Sequence, residues 1–325
     1  MPARLRQILL RLIGLGLLVL ILLKLDLRAM LQALASARWG YLLLAVALNL
    51  LLFGLKSWRW QELLEMQGIV YPWRDAFLAF ASGMLLGLLT PGRVGEMAKA
   101  LYLKQDRDVP ISVGFANVLM DRLLDLYTIM LLGSFGLAWY HLLPQWAIAL
   151  VVALTLTAVL LPFVLLSEQL VSWGLNLTRH LPLVRRFHAR LAETAGRFQT
   201  GLRPLLTPRL AIPILVTQLA YVLFFFQGQL LAWALDLHVG VAYLAVCLSV
   251  SGFVTLLPVS ISGLGTRDAT LIAMFAPLGI PAYQSVAYST LFFLTFYIGG
   301  GLIGAWAWQM KPLDKRPTAV NNEVK

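Results

Sequence analysis

The chain has 325 residues, of which 60% are hydrophobic and 13% charged, against roughly 25% charged in a soluble domain. That composition, with a mean hydropathy of +0.79, excludes a water-soluble catalytic domain, because no soluble core absorbs so much apolar surface. The formal net charge of +11 does not point to nucleic acid, since the basic residues lie in short intervals between apolar runs, where they report orientation and contact with anionic lipid.

At the start, Arg4, Arg6 and Arg11 precede an apolar stretch from Leu12 to Leu23, with small residues Ala33, Ala35 and Ala37 downstream. This resembles a signal peptide, but Lys24, Asp26 and Arg28 separate the stretch from the alanines and further apolar runs follow, so an uncleaved first helix is the reading adopted. A second run from Trp39 to Leu55 ends in Lys56 and Arg59, which are assigned to a loop over 56–74. The third begins near Trp73 and stops at Thr90, the fourth covers Leu123 to Leu143, and the fifth Trp146 to Leu166. A basic interval at 167–209 follows, carrying Arg179, Arg185, Arg186, Arg190, Arg197, Arg203 and Arg209, and is expected to be a cytoplasmic loop. The remaining runs are Leu210 to Leu235, Val241 to Leu257, Ala269 to Ala276 and Tyr283 to Gln309. Trp39, Trp58, Trp60, Trp73, Trp306 and Trp308 are read as an interfacial belt. Cys247 is the single cysteine, and His141, His180, His188 and His238 lack a ligand spacing. No disulfide, metal or cofactor is therefore expected.

These runs do not thread as simple crossings if the termini and every basic interval stay on the cytoplasmic side. The third run must return to the side it started from, over about 75–103, and the segment at about 241–276 must do the same from the opposite face. Both turning points hold Pro, Gly and charge, and Pro91 and Pro258 lie 167 residues apart, about half the chain. Paired Gly/Pro-interrupted segments in corresponding halves are what an inverted repeat shows, with a site near the midplane. The expected fold is an all-α membrane bundle of seven to eight helices plus two oppositely oriented re-entrant helical hairpins, forming one domain over 1–310 with a cytoplasmic tail over 311–325. A bacterial inner membrane with both termini cytoplasmic is the expected location.

Three polar clusters are the candidate site. In the first turn, Thr90 can cap a helix that starts at Pro91, and Gly92, Arg93, Gly95, Glu96 and Lys99 follow, the charges three apart and so on one face. Free N–H groups and Arg93 at the helix start make a phosphate cradle. In the second turn Pro258, Ser260, Ser262, Gly263 and Gly265 precede Thr266 as a cap, then Arg267 and Asp268. In the third cluster, Asp121, Arg122 and Asp125 can form an internally paired triad on one helix face. Either it lies within the membrane, where charge is functional, or it anchors the cytoplasmic boundary of a span that starts at Leu123.

In these clusters the chain resembles the flippase-like membrane domain of lysylphosphatidylglycerol synthases and of stand-alone bacterial and archaeal proteins (UPF0104-type). Pro91, Arg93, Gly95, Glu96 and Lys99 are similar to its first motif, Asp121, Arg122 and Asp125 to its second, and Pro258, Gly263, Gly265 and Asp268 to its last, with Asp for Glu at 121 and 268. The resemblance implies translocation of an anionic phospholipid or a polyprenyl-phosphate-linked lipid between leaflets. It does not imply aminoacyl transfer, because no soluble synthase part is present. The expected partners are membrane lipids, with a second copy or a pathway enzyme as further partners and no nucleic acid. Two other readings stay open: an enzyme acting on a lipid phosphate with Glu96 or Asp121 as general base, and a non-transporting subunit of an envelope lipid or polysaccharide pathway.

Overall fold

The structure is a computed structural model that describes residues 21, 23, 25–142, 144–167, 169–173, 188–256 and 263–313. The described residues form twelve α-helices and no strand. They are α1 (Leu27–Ala35), α2 (Trp39–Met66), α3 (Trp73–Leu89), α4 (Ala98–Arg107), α5 (Ile111–Trp139) and α6 (Gln145–Leu166), then α7 (His188–Leu202), α8 (Ala211–Ala234), α9 (Val241–Leu256), α10 (Thr266–Phe275), α11 (Ala282–Phe292) and α12 (Gly300–Met310). A 3-10 segment, Pro91–Met97, joins α3 to α4. A π-helical segment, Phe293–Gly299, joins α11 to α12 into one continuous rod. Four helices begin directly after a proline (Pro72, Pro110, Pro144 and Pro281), which cannot continue a preceding helix. Asp108 and Gly279 close the preceding turns in the left-handed conformation.

Four helical rods, Trp39–Met66, Gln145–Leu166, Pro208–Ala234 and Ala282–Met310, are long and apolar enough to cross a membrane. Their polarity is inverted relative to a soluble bundle. On α6 Trp146, Leu150, Leu154, Leu156 and Leu160 face outward, while Asn49, Arg59, Lys99, Asp121 and Gln227 are buried. Only an apolar surrounding makes that arrangement favourable.

The bundle has two recognisable ends. At one, Lys311 Nζ bridges Asp75 at 2.7 Å and Asp106 at 2.6 Å, and the Tyr71 hydroxyl donates to Asp106 at 2.5 Å. The start of α3 and the end of α4 therefore meet. Burial and the bond to Asp106 push the Tyr71 phenol well above its ordinary pKa, so it stays a donor. Gln67 donates to the Gly201 carbonyl at the same end. At the other end, the Arg38 amide donates to Ala234 O, Tyr140 packs edge-on against Tyr243, and the Tyr243 hydroxyl donates to Met274 O at 2.6 Å. The start of α9 thus meets the end of α10. The two helix pairs α3–α4 and α9–α10 close at opposite ends of the bundle.

Several expectations are corrected. The second helix does not stop at Leu55; it runs to Met66, so Lys56 and Arg59 are helical rather than in a loop. The fourth run starts at Ile111, not Leu123, because Pro110 sets its first turn and nothing breaks the helix before the charges. Trp60 is fully buried beside Tyr71 and is not an interfacial residue. The interval 167–209 holds a helix, α7, which packs on α5 through Phe198 against Phe115 and Gly201 against Val113. Lys311, the first residue of the expected tail, is built into the base of the α3–α4 pair. The leading stretch Leu12 to Leu23 lies almost wholly outside the described residues, as do Arg179, Arg185, Arg186 and His180.

Candidate functional site

The α3–α4 pair is shaped by missing side chains. A Cβ at Gly95 would lie 2.2 Å from Leu86 O, so only glycine lets the returning backbone touch α3. Gly87 and Gly83, one turn apart on α3, leave the space filled by the stems of Glu96 and Lys99, whose carbons lie 2.4 and 2.9 Å from ideal Cβ positions. The turn follows from this contact. Thr90 Oγ1 accepts from Gly95 N at 2.7 Å, not from the first amides of the segment, and Pro91, Gly92 and Arg93 start a 3-10 turn rather than an α-helix. Arg93 has φ +57°, a left-handed backbone that costs a non-glycine residue of order 1 kcal/mol.

Behind this turn lies a buried ionic cluster. Arg59 on α2 is its hub: Nε and Nη2 donate to Asp121 Oδ1 at 2.9 and 2.5 Å, and Nη1 to Asp125 Oδ1 at 2.7 Å and Thr217 Oγ1 at 3.3 Å. Lys99 Nζ donates to Asp121 Oδ2 at 2.5 Å and stands over the Phe80 and Trp60 rings at 4.7 and 5.6 Å. Lys56 reaches Asp125 at 3.0 Å. Arg122 pairs with Glu96, and Arg93 lies 3.9 Å from the same carboxylate. Five cations (Lys56, Arg59, Arg93, Lys99 and Arg122) therefore meet three carboxylates (Glu96, Asp121 and Asp125), leaving a formal excess of two positive charges. Arg59, Lys99 and Asp121 have no exposed side-chain surface, whereas Arg122 keeps 19% and Arg93 32%. Arg122 Nε has no hydrogen-bond partner among the described residues.

Asp121, Arg122 and Asp125 do not form the expected internal triad. Arg122 is 4.0 Å from Asp125 and turns to Glu96 instead, while both aspartates are held from α2. Asp121 is the eleventh residue of a 29-residue helix, about 15 Å from its start. The cluster thus sits within the helix body, not at its end. Likewise, Lys99 does not join Arg93 and Glu96 in one local row; it leaves them for Asp121.

The second turn reaches the first. Gly263 and Gly265 adopt φ +76° and +80°, and Asp268 Oδ2 accepts from Gly265 N at 2.9 Å, so Gly265 rather than Thr266 caps α10. Arg267 Nε donates to Ser289 Oγ at 2.8 Å, and Ser289 donates in turn to Asp268. The Arg267 guanidinium lies over Phe292, Phe293 and Tyr297 of the last rod. Tyr297 is shared: Arg267 stands 5.3 Å and Arg93 5.9 Å from its ring centroid. Pro258, Ser260 and Ser262 lie outside the described residues.

Sequence reasoning missed Lys56, Arg59, Tyr297, Ser289, Thr217 and Tyr221. For Arg59 a signal existed, because Leu52, Phe53, Trp60, Leu63 and Leu64 continue the helical period with no Gly or Pro between Gly54 and Gly68.

An apolar exterior around a buried ionic core defines a multi-pass helical membrane protein. Residues 7–304 match the family described as the Lysylphosphatidylglycerol synthase TM region, and the chain belongs to that family. It is similar to a UPF0104 membrane protein of Methanocaldococcus jannaschii, 22% identical over 85% of this chain and 87% of that protein. Two UPF0104 membrane proteins of Methanothermobacter thermautotrophicus are each 25% identical, over 79% and 84% of this chain and 81% and 84% of theirs. No solved structure matches.

Proposed function

We propose that the chain translocates a lipid with an anionic phosphate head group, a phospholipid or a polyprenyl-phosphate-linked lipid, between membrane leaflets. The carrying observation is Arg122: a partly buried guanidinium whose buried Nε lacks an acceptor among the described residues, in a cluster with two positive charges in excess. A buried donor of this kind favours an anion strongly. A groove of about 730 Å³ adds room for a tail. It is lined by Leu124, Thr128, Leu131, Phe135, Tyr221 and Val222, and Tyr221 donates to the Asp125 carbonyl, so groove and cluster adjoin.

In this reading α3–α4 and α9–α10 are re-entrant hairpins from opposite faces of an inverted repeat, with the Lys311 end and both termini cytoplasmic in the inner membrane. One domain spans 1–310. Basic residues Lys104, Arg107, Arg203 and Arg209 belong to segments at the Lys311 end, as the distribution of Lys and Arg requires of a cytoplasmic face. The carboxylates gain no role as general bases, since Asp121 is held by Arg59 and Lys99 and Glu96 by Arg122. The test is reconstitution in vesicles with fluorescent phosphatidylglycerol and a fluorescent polyprenyl phosphate, following loss of the outer-leaflet signal. Translocation that falls about tenfold or more in Arg122→Ala supports the reading. An unchanged transbilayer rate with every anionic lipid tried would overturn it.

A further inference from the structure

A second polar recess lies at the far end of the bundle. Arg38 immediately precedes α2, and Arg59 lies 21 residues along it, so the recess and the ionic cluster are about 30 Å apart, the thickness of a hydrocarbon core. The recess is an open depression of about 560 Å³ lined by Arg38, Tyr41, Gln229, Trp233, Asp236 and His238 among others.

Three features say what it holds. First, Gln229 is 3% exposed; its Nε2 donates to Val239 O at 3.2 Å, while its Oε1 has no hydrogen-bond partner among the described residues. Because Nε2 donates to a carbonyl, the orphan atom is an acceptor, which a hydroxyl or N–H donor reaching it from the recess would satisfy. Second, Arg38 and Asp236 form a 2.7 Å ion pair at the rim. Asp236 is held toward it by a left-handed backbone, φ +54°, at the end of α8, with its amide on Trp233 O and Arg38 N on Ala234 O. The pair cancels its own charge, which removes the advantage of an anion or a cation and leaves one donor fork beside one acceptor carboxylate. Third, Trp233 and Tyr41, with centroids 6.1 Å apart, present aromatic surface next to these polar groups. An orphan acceptor, a neutral donor–acceptor pair and aromatic faces are what a hydroxylated ring satisfies.

We propose that this recess binds a neutral hydroxylated head group, a glycosyl or polyol unit, on the membrane face opposite the ionic cluster. It rests on the translocation reading for its role, as the place a head group occupies at the other end of its path, but the binding itself is measurable without transport.

The experiment uses the full chain in nanodiscs of phosphatidylglycerol and phosphatidylethanolamine, free of sugar detergents. Saturation-transfer NMR would follow methyl glucoside, with choline and glycerol phosphate as parallel probes. Expected is saturable binding of the glucoside alone, weakened about tenfold by Gln229→Leu and by Trp233→Leu, the loss of one hydrogen bond or one stacking face. Trp233 is 41% exposed, so its variant decides the matter if Gln229→Leu unfolds. Glucosyl diacylglycerol placed in the nanodisc displaces the glucoside if the unit arrives on a lipid, and its failure to do so assigns the recess to free sugar. No saturable glucoside signal, a signal untouched by Trp233→Leu, or preference for choline or glycerol phosphate would overturn the proposal. Because transport plays no part in this assay, its failure leaves the vesicle result standing, and the reverse also holds.

Discussion

Arg59 and Asp121 are each stripped of water, and that state is tolerable only because every hydrogen-bonding edge of the guanidinium faces a carboxylate or hydroxyl. Removing one partner leaves the other charge unpaired at no gain in solvation. We therefore expect Asp121→Leu alone to cost about 3–5 kcal/mol of stability, read as a drop in thermal midpoint in detergent. Replacing Arg59 by Met, Lys99 by Leu and Asp121 by Leu together is expected to recover much of that loss while abolishing translocation. A triple variant no more stable than Asp121→Leu would contradict this account. At this scale the sequence named Glu96, Lys99, Asp121, Arg122 and Asp125 but not which of them pair, nor the Arg59 that holds both aspartates. Asp121 and Arg122 are adjacent in the chain, which suggested local pairing, whereas the actual partners come from 62 residues before Asp121 and 26 residues before Arg122. Long-range pairing leaves no local trace in one sequence.

Among the elements, the α3–α4 pair was the most legible, because Pro91 and two glycines interrupt an apolar run whose flanks both carry basic residues. Its geometry was less so: the 3-10 turn arises from backbone contact between Gly95 and Leu86, which no propensity encodes. The two glycine contacts give a contrast. Gly95→Ala drives a methyl into backbone and should destabilise the pair by more than 2 kcal/mol, as overpacking with no route of escape does. Gly87→Ala meets a side chain, the Glu96 stem, rather than backbone, so it should cost less stability than Gly95→Ala while displacing Glu96 and slowing translocation. Thermal unfolding and vesicle assays on both variants separate the effects; equal stability losses would count against this view of the turn. The π-helical stretch at 293–299 had no signal in the sequence, yet it carries Tyr297. An extra residue in a helical turn re-aims side chains and recurs at functional sites.

For the molecule as a whole, hydropathy conveyed the class, an all-α membrane protein, and missed the helical content of 167–209 because α7 is amphipathic rather than apolar. The two ends are chemically distinct: a latch built on Lys311 at one, the Arg38–Asp236 pair at the other. Cysteines placed at Asp236 and Arg107 should be labelled by impermeant maleimide from opposite sides of sealed vesicles. Labelling of both from one side would refute the arrangement of the bundle. Lys311→Ala releases a half-buried ammonium from Asp75 and Asp106 and should lower stability by about 1 kcal/mol without touching the ionic cluster.

Tyr297 bears on all of this, because one ring carries guanidinium groups from both turns, Arg93 from the first half of the chain and Arg267 from the second. A movement of either turn changes the seat of the other. The two halves are then thermodynamically linked rather than merely adjacent, and the energetic effects of Arg93→Ala and Arg267→Ala on transport will fail to add. Phe at position 297 keeps the ring and preserves that linkage; Leu at the same position removes the ring and makes the two arginines independent.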